Sequence, residues 1–164
     1  MERIWAPWRG EYVAAAGKQP ARRRACIFCR ALKEAGRSSS LVVHVAPLSF
    51  VMMNRFPYGS GHVMVAPRRH VGSLGAATEA ELAEMMLLAR RLEKVFAKAY
   101  KPDGMNLGMN LGKSAGAGVA DHIHLHALPR WTGDTNFMTV VGETRVIPED
   151  PAKACARLRS LFGR

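Results

Sequence analysis

The chain has 164 residues, 48% hydrophobic and 23% charged, which is the balance of a soluble globular protein long enough for one domain with a real core. Its longest apolar runs fall far short of a bilayer span, and the opening MERIWAPWRG has early charges and no apolar signal core, so no membrane span is expected and the cytoplasm is the expected compartment. Lys and Arg number 24 against 13 Asp and Glu, a formal charge of +11 that calls for an anionic partner: nucleic acid, an acidic membrane surface or a phosphorylated small molecule.

Residues 1–25 are rich in Trp, Pro and Arg with little periodicity, and read as an extended arm packed through Trp5 and Trp8. Arg22, Arg23 and Arg24 are consecutive, and the plain reading of such a cluster is a solvated surface. CIFCRALKEAG, 26–36, reads as a short helix ended by Gly36. Cys26 and Cys29 are three apart, which in a reduced compartment indicates a metal or a redox pair rather than a structural disulfide. Three apolar runs, 41–46, 50–54 and 61–67, are punctuated by Pro and Gly and predict an antiparallel meander. His44 lies within the first and reads as a surface residue.

The segment 78–100 is the clearest helix. Thr78 can cap it, with Glu81 completing a capping box, and Leu82, Met85, Met86, Ala89, Leu92 and Phe96 form its apolar stripe. GMNLGMNLG, 104–112, predicts a strand with Met105, Leu107 and Met109 on one face. A Gly-rich loop then leads into HIHLHAL, predicted as a strand, and NFMTVVG, 136–142, is a further candidate. Asp150-Pro151 opens a last helix as N-cap and first helical residue, and Cys155 within it reads as a small buried side chain. With no composition break, the expectation is one α+β domain over 1–164: the arm 1–25, a core 26–131 and an extension 132–164. No basic zipper, paired zinc-finger pattern or aromatic RNA-binding strand is present, so nucleic acid is the disfavoured partner.

Three of the six histidines fall at alternate positions, His122, His124 and His126. In a strand they share one face, expected to be polar and accessible, while Ile123, Leu125 and Ala127 share the other. Three chemistries suit such a row: a metal site, a proton relay, or a nucleophilic imidazole with supporting neighbours. The preceding loop, with Asn110, Gly112, Lys113, Ser114, Gly116 and Gly118, is either a flexible turn or a backbone cradle for phosphate. Feeding into the histidine row, it points to phosphate chemistry.

HIHLHAL followed by Pro129 resembles the histidine triad motif, His-φ-His-φ-His-φ-φ, and GHVMVAPRRH, 61–70, resembles the companion segment of that superfamily. RIWAPWRGEY, NLGMNLGKSAGAGVADH and PRWTGDTNFMTVVG resemble the branch that contains diadenosine tetraphosphate phosphorylases. The resemblance implies an antiparallel sheet of five or more strands with one long helix and short flanking helices. It also implies an enzyme that cleaves dinucleoside polyphosphates by way of a nucleotidyl-histidine, with phosphate or water as acceptor. By resemblance His124 is the nucleophile and His126 and His62 assist it; Asn54 holds ribose hydroxyls, and Asn110, Ser114, Gly116 and Gly118 are candidates for phosphate contacts. Many members carry Gln, or Ser-Thr, just before the first histidine, where this chain has Asp121; the phosphorylase-like branch has an acid there, and Asp121 is a candidate for orienting a histidine or selecting the acceptor.

The same resemblance completes the cysteine pair. Some members, and related uridylyltransferases, join such a pair with the histidine ending the Pro-x-x-His segment and the first of the triad. Here these are His70 and His122, giving a structural zinc on Cys26, Cys29, His70 and His122, with no organic cofactor. A homodimer with the long helix near its interface is implied as well. The rival functions are a purine nucleoside phosphoramidase, which applies the same row to a P–N bond, and a nucleotide-binding regulatory module.

Overall fold

The computed structural model describes residues 26–135 and 149–163; the arm with Trp5 and Trp8 and the candidate strand 136–142 lie outside the described residues. In chain order the elements are α1 (Ile27–Lys33), β1 (Val42–Val45), β2 (Ser49–Met53), β3 (Val63–Pro67), α2 (Glu79–Tyr100), β4 (Gly104–Gly108), β5 (Leu125–Arg130) and α3 (Pro151–Phe162). Short 3₁₀ turns occupy Leu74–Ala76 and Lys113–Ala115. The five strands form one sheet in the order β1-β2-β3-β5-β4, every pair antiparallel. No described helix is long and apolar enough to cross a membrane.

The sheet is covered on both faces, which is why β2 and β3 read as unbroken apolar runs rather than alternating ones. Val51, Met53, Val63, Val65, Leu125 and Ala127 pack against α2 and α3. The intervening Phe50, Met52, Met64 and Ala66 meet Phe28 of α1 on the opposite face. Adjacent residues thus serve two cores, as the period of two requires.

α2 starts on the expected capping box: Thr78 accepts from the Glu81 backbone, and the Glu81 carboxylate accepts from the Thr78 N–H. Arg69 clamps that carboxylate with two hydrogen bonds, of 3.0 and 2.7 Å, and holds the carboxyl at about 2. The apolar stripe differs from the one expected. Met85, Leu88, Ala89, Leu92, Val95 and Phe96 are buried, whereas Met86 is 56% exposed. At about 100° per residue the buried side chains share an arc of about 120°, wide enough for the neighbours Leu88 and Ala89 or Val95 and Phe96, and Met86 falls about 60° beyond its edge.

β4 is shorter than the predicted 104–112, because its pairing ends at Gly108 opposite His126. Met105 and Met109 pack on the core but Leu107 is 42% exposed; among the described elements α2 lies chiefly over β2, β3 and β5, and β4 forms the edge of the sheet. α3 is capped by Asp150, which accepts from the backbones of Ala152 and Lys153, and Cys155 is buried. Arg159 then donates to the Val42 carbonyl at 2.7 Å and ties α3 to β1. His44 is not a bare surface residue: its ring stacks on Phe162 at 5.0 Å, and the Arg91 guanidinium covers the same phenyl ring.

Candidate active site and metal centre

β5 begins at Leu125, so His126 belongs to the strand while His122, at a bend, and His124 sit in the segment that enters it. The pairing of Met64 with His126 fixes the row relative to β3, and His62, one residue before β3, comes up beside His126. All four imidazoles are buried: His62 is 0%, His122 1%, His124 5% and His126 9% exposed. The expectation of an open polar face is therefore corrected. Phe28 lies 5.0 Å from His122 and 4.7 Å from His124, ring to ring, and Tyr58 lies 4.6 Å from His62 and 5.6 Å from His126. These two aromatic walls are what the sequence reading missed. Phe28 was legible only as the residue between two cysteines, and Tyr58 only as a residue of a Pro/Gly-rich turn.

Hydrogen bonds set the protons on the row. The Tyr58 N–H donates to His62 Nδ1 at 3.0 Å, and Asn54 Nδ2, its amide oriented by the Phe56 N–H on Oδ1, faces the same nitrogen at 3.4 Å. In its neutral form His62 therefore carries its hydrogen on Nε2, which donates to His126 Nδ1 at 2.9 Å. That leaves His126 with an Nε2–H. The His122 carbonyl lies 2.9 Å from His124 Nδ1 and must accept, so His124 keeps its lone pair on Nε2.

The row is electrically neutral near pH 7. Burial, then the facing His126 and His124, lower His62 to about 3; burial, then His124, lowers His126 to about 4. Burial also lowers His124, opposed by its hydrogen bond to the His122 carbonyl.

The loop residues are more loosely placed. Gly112 and Gly116 have φ of +82° and +88°, which explains glycine at those two turns. Gly116 lies next to the Asn110 side chain. Ser114, Gly116, Gly118 and Asp121 are all exposed, and among the described residues no hydrogen bond joins any of them to the histidines. Asp121 instead packs its backbone against Gly72.

At the other end of the row, Cys26 Sγ, Cys29 Sγ, one nitrogen of His70 and one of His122 lie within 4.8 Å of one another. His122 Nδ1 is 3.3 Å from Cys26 Sγ and 3.8 Å from Cys29 Sγ, and His70 Nδ1 is 3.4 Å from Cys29 Sγ. A tetrahedral zinc with ordinary bonds to sulfur and nitrogen has ligand–ligand edges of about 3.3–3.8 Å. The donor chemistry fits too: His122 Nε2 donates to the Pro67 carbonyl at 2.9 Å, which turns the Nδ1 lone pair toward the sulfurs. These four residues could hold a metal ion.

A family model described as the HIT domain matches residues 35–133. The chain belongs to the HIT domain family. Over 152 residues this HIT protein is 37% identical to a Mycobacterium tuberculosis protein named AP-4-A phosphorylase, a match covering 91% of the chain and 78% of that relative. It is 34% identical over 95 residues to the asymmetrical bis(5'-nucleosyl)-tetraphosphatase of Schizosaccharomyces pombe, covering 58% of the chain and 52% of the relative. Among solved structures it resembles a zinc-bound histidine triad family protein from Mycobacterium smegmatis, with a TM-score of 0.69 and 26% identity over 85% of this chain and 94% of that one.

Proposed function

We propose that this HIT protein is an enzyme that cleaves dinucleoside polyphosphates, diadenosine tetraphosphate first among them, through a nucleotide carried on His124. The observation that carries the reading is the proton arrangement of the buried row: His124 has its Nδ1–H engaged by a backbone carbonyl and its Nε2 lone pair available, next to an imidazole pair whose outer member presents an Nε2–H. The similarity to the M. tuberculosis phosphorylase over most of the chain supports the substrate class.

In the first step His124 Nε2 attacks the α-phosphorus, a P–N bond forms, and the bond from that phosphorus to the polyphosphate oxygen breaks. The leaving oxygen departs as a phosphate anion and accepts a hydrogen bond from the His126 Nε2–H, which the His62 donation to His126 Nδ1 holds in place. In the second step an oxygen of phosphate or of water attacks the same phosphorus, the P–N bond breaks, and ADP or AMP is released. His124 is neutral before attack because burial lowers its pKa, so no separate base is needed to unmask the nucleophile. Asn54 lies beside His62 and in this reading meets the ribose; the backbone of the 112–118 loop serves the phosphates, with Asn110 beside it, and Asp121 at its end influences the choice of acceptor.

Cys26, Cys29, His70 and His122 hold zinc in this reading, and the ion when bound supplies a cross-link between α1 and the end of β3 rather than chemistry on the substrate. The protein works as a homodimer in the cytoplasm; the exposed Met86 and Leu87 on α2 and the open strand β4 support the pairing.

The test is product analysis on diadenosine tetraphosphate with labelled inorganic phosphate. Label in ADP identifies phosphate as acceptor, and AMP identifies water. His124→Ala should abolish turnover, at least a thousandfold, and rapid quenching of the unaltered enzyme should trap adenylate on residue 124. An active preparation that never carries it there overturns the mechanism.

A further inference from the structure

α1 has seven residues, too few to persist as a helix without tertiary support. Cys29 within it and Cys26 at its N-cap belong to the candidate metal site, and Phe28 between them is fully buried. The phenyl ring is seated on Val42, Phe50, Met52 and Met64 of the sheet and lies against both His122 and His124. The proposed chemistry uses His124 through its two nitrogens and makes no use of Phe28.

Three contacts restrain the imidazole of His124. Its Nδ1–H donates to the His122 carbonyl, the His126 ring lies 4.9 Å away at 76°, and the Phe28 ring lies 4.7 Å away, inclined by only 35°. Two of the three originate at the metal site: the carbonyl belongs to a metal-ligand candidate, and Phe28 is bracketed in sequence by two others. The order of residues in Cys-Ile-Phe-Cys thus places a metal grip on either side of the wall that orients the nucleophile.

We propose that Phe28 is a positioning residue that couples occupancy of the Cys26–Cys29–His70–His122 site to the orientation of His124. Metal would then govern the nucleophile without touching substrate. The assignment of His124 as nucleophile rests on the function proposed above; the coupling itself is tested without turnover.

The experiment reads carbethoxylation of His124 by diethyl pyrocarbonate, followed by peptide mass spectrometry, in the full chain with zinc added and after chelation. In the unaltered protein, chelation should raise the modification rate about tenfold, because the buried ring is released. Phe28→Leu should raise it by a similar factor while zinc content stays at one per chain, and chelation of that variant should add less than about twofold. Phe28→Tyr, which keeps the ring, should behave as the unaltered protein in both metal states. On substrate, Phe28→Leu should lower kcat about tenfold with KM nearly constant. Independent, multiplying effects of chelation and Phe28→Leu overturn the coupling, as does an unchanged rate in Phe28→Leu. Should Phe28→Leu fail to hold zinc or to fold, the Tyr variant decides: metal-dependent protection equal to the unaltered protein supports the coupling, and its loss in a zinc-loaded, folded Tyr variant overturns it. If no dinucleoside polyphosphate is turned over, the substrate reading fails while the modification rates still decide the coupling.

Discussion

At the residue scale, the turn that delivers His62 is the tightest place in the site. Gly61 has φ of +72°, and a Cβ built on it would lie 2.9 Å from both the Tyr100 ring and Pro129 Cγ. The ring cannot yield easily, because the Tyr100 hydroxyl donates to Glu149 at 2.8 Å and the Arg157 guanidinium lies over its face. Gly61→Ala therefore meets both backbone strain and overpacking, and should cost about 1–3 kcal/mol in urea denaturation. Because His62 is the next residue, kcat should fall in the same variant. A loss of stability with kcat intact would mean that the turn can relax away from the histidine. The companion segment Gly-His-x-φ-φ-φ-Pro-x-x-His was legible in the sequence, but the reason for its glycine was not: the atoms that exclude a side chain come from positions 100 and 129.

At the element scale, α2 was the most legible part of the chain, because its start signal is local. Thr78 and Glu81 satisfy each other's backbones within one turn. Thr78→Ala should lower stability by about 1 kcal/mol, measured as a shift in the urea midpoint with unchanged slope. Arg69→Ala should cost more than an exposed ion pair usually does, since the Glu81 carboxylate it clamps is nearly buried while Arg69 itself is half-exposed. What was not legible is which neighbour of an adjacent apolar pair turns inward, as Met85 and Met86 show, because that depends on where the sheet lies. The histidine row failed in the same way. Alternation correctly put the three imidazoles on one side and Leu125 and Ala127 on the other, but the side called open is roofed by α1, a helix about a hundred residues earlier in the chain. The cysteine–histidine set was reached by resemblance, since sequence spacing cannot say that residues 26 and 122 end 3.3 Å apart at their side chains.

At the scale of the whole molecule, buried neutral histidines make stability depend on pH, and the sign follows from which state binds the proton. His62 and His126 titrate at about 3 and about 4 in the folded chain, against an ordinary value near 6.5 in the unfolded one. Between about pH 6.5 and 4 the unfolded chain holds protons that the folded chain refuses, so stability is fully present above about 6.5 and is lost as pH falls through that window. Each such group contributes a slope of up to about 1.4 kcal/mol per pH unit. Acid also adds positive charge to a chain already at +11, which works in the same direction. The metal-ligand histidines would lose their metal over an overlapping range, so the bare pH profile mixes two effects. His62→Gln separates them: it removes one refused proton, leaves the four metal-ligand candidates in place, and keeps an amide that can donate toward His126. Measured by urea denaturation in chelator-free buffer with zinc in excess, the variant should lose less stability than the unaltered protein between pH 6.5 and 4.5. Identical losses would mean that His62 contributes nothing to the acid sensitivity.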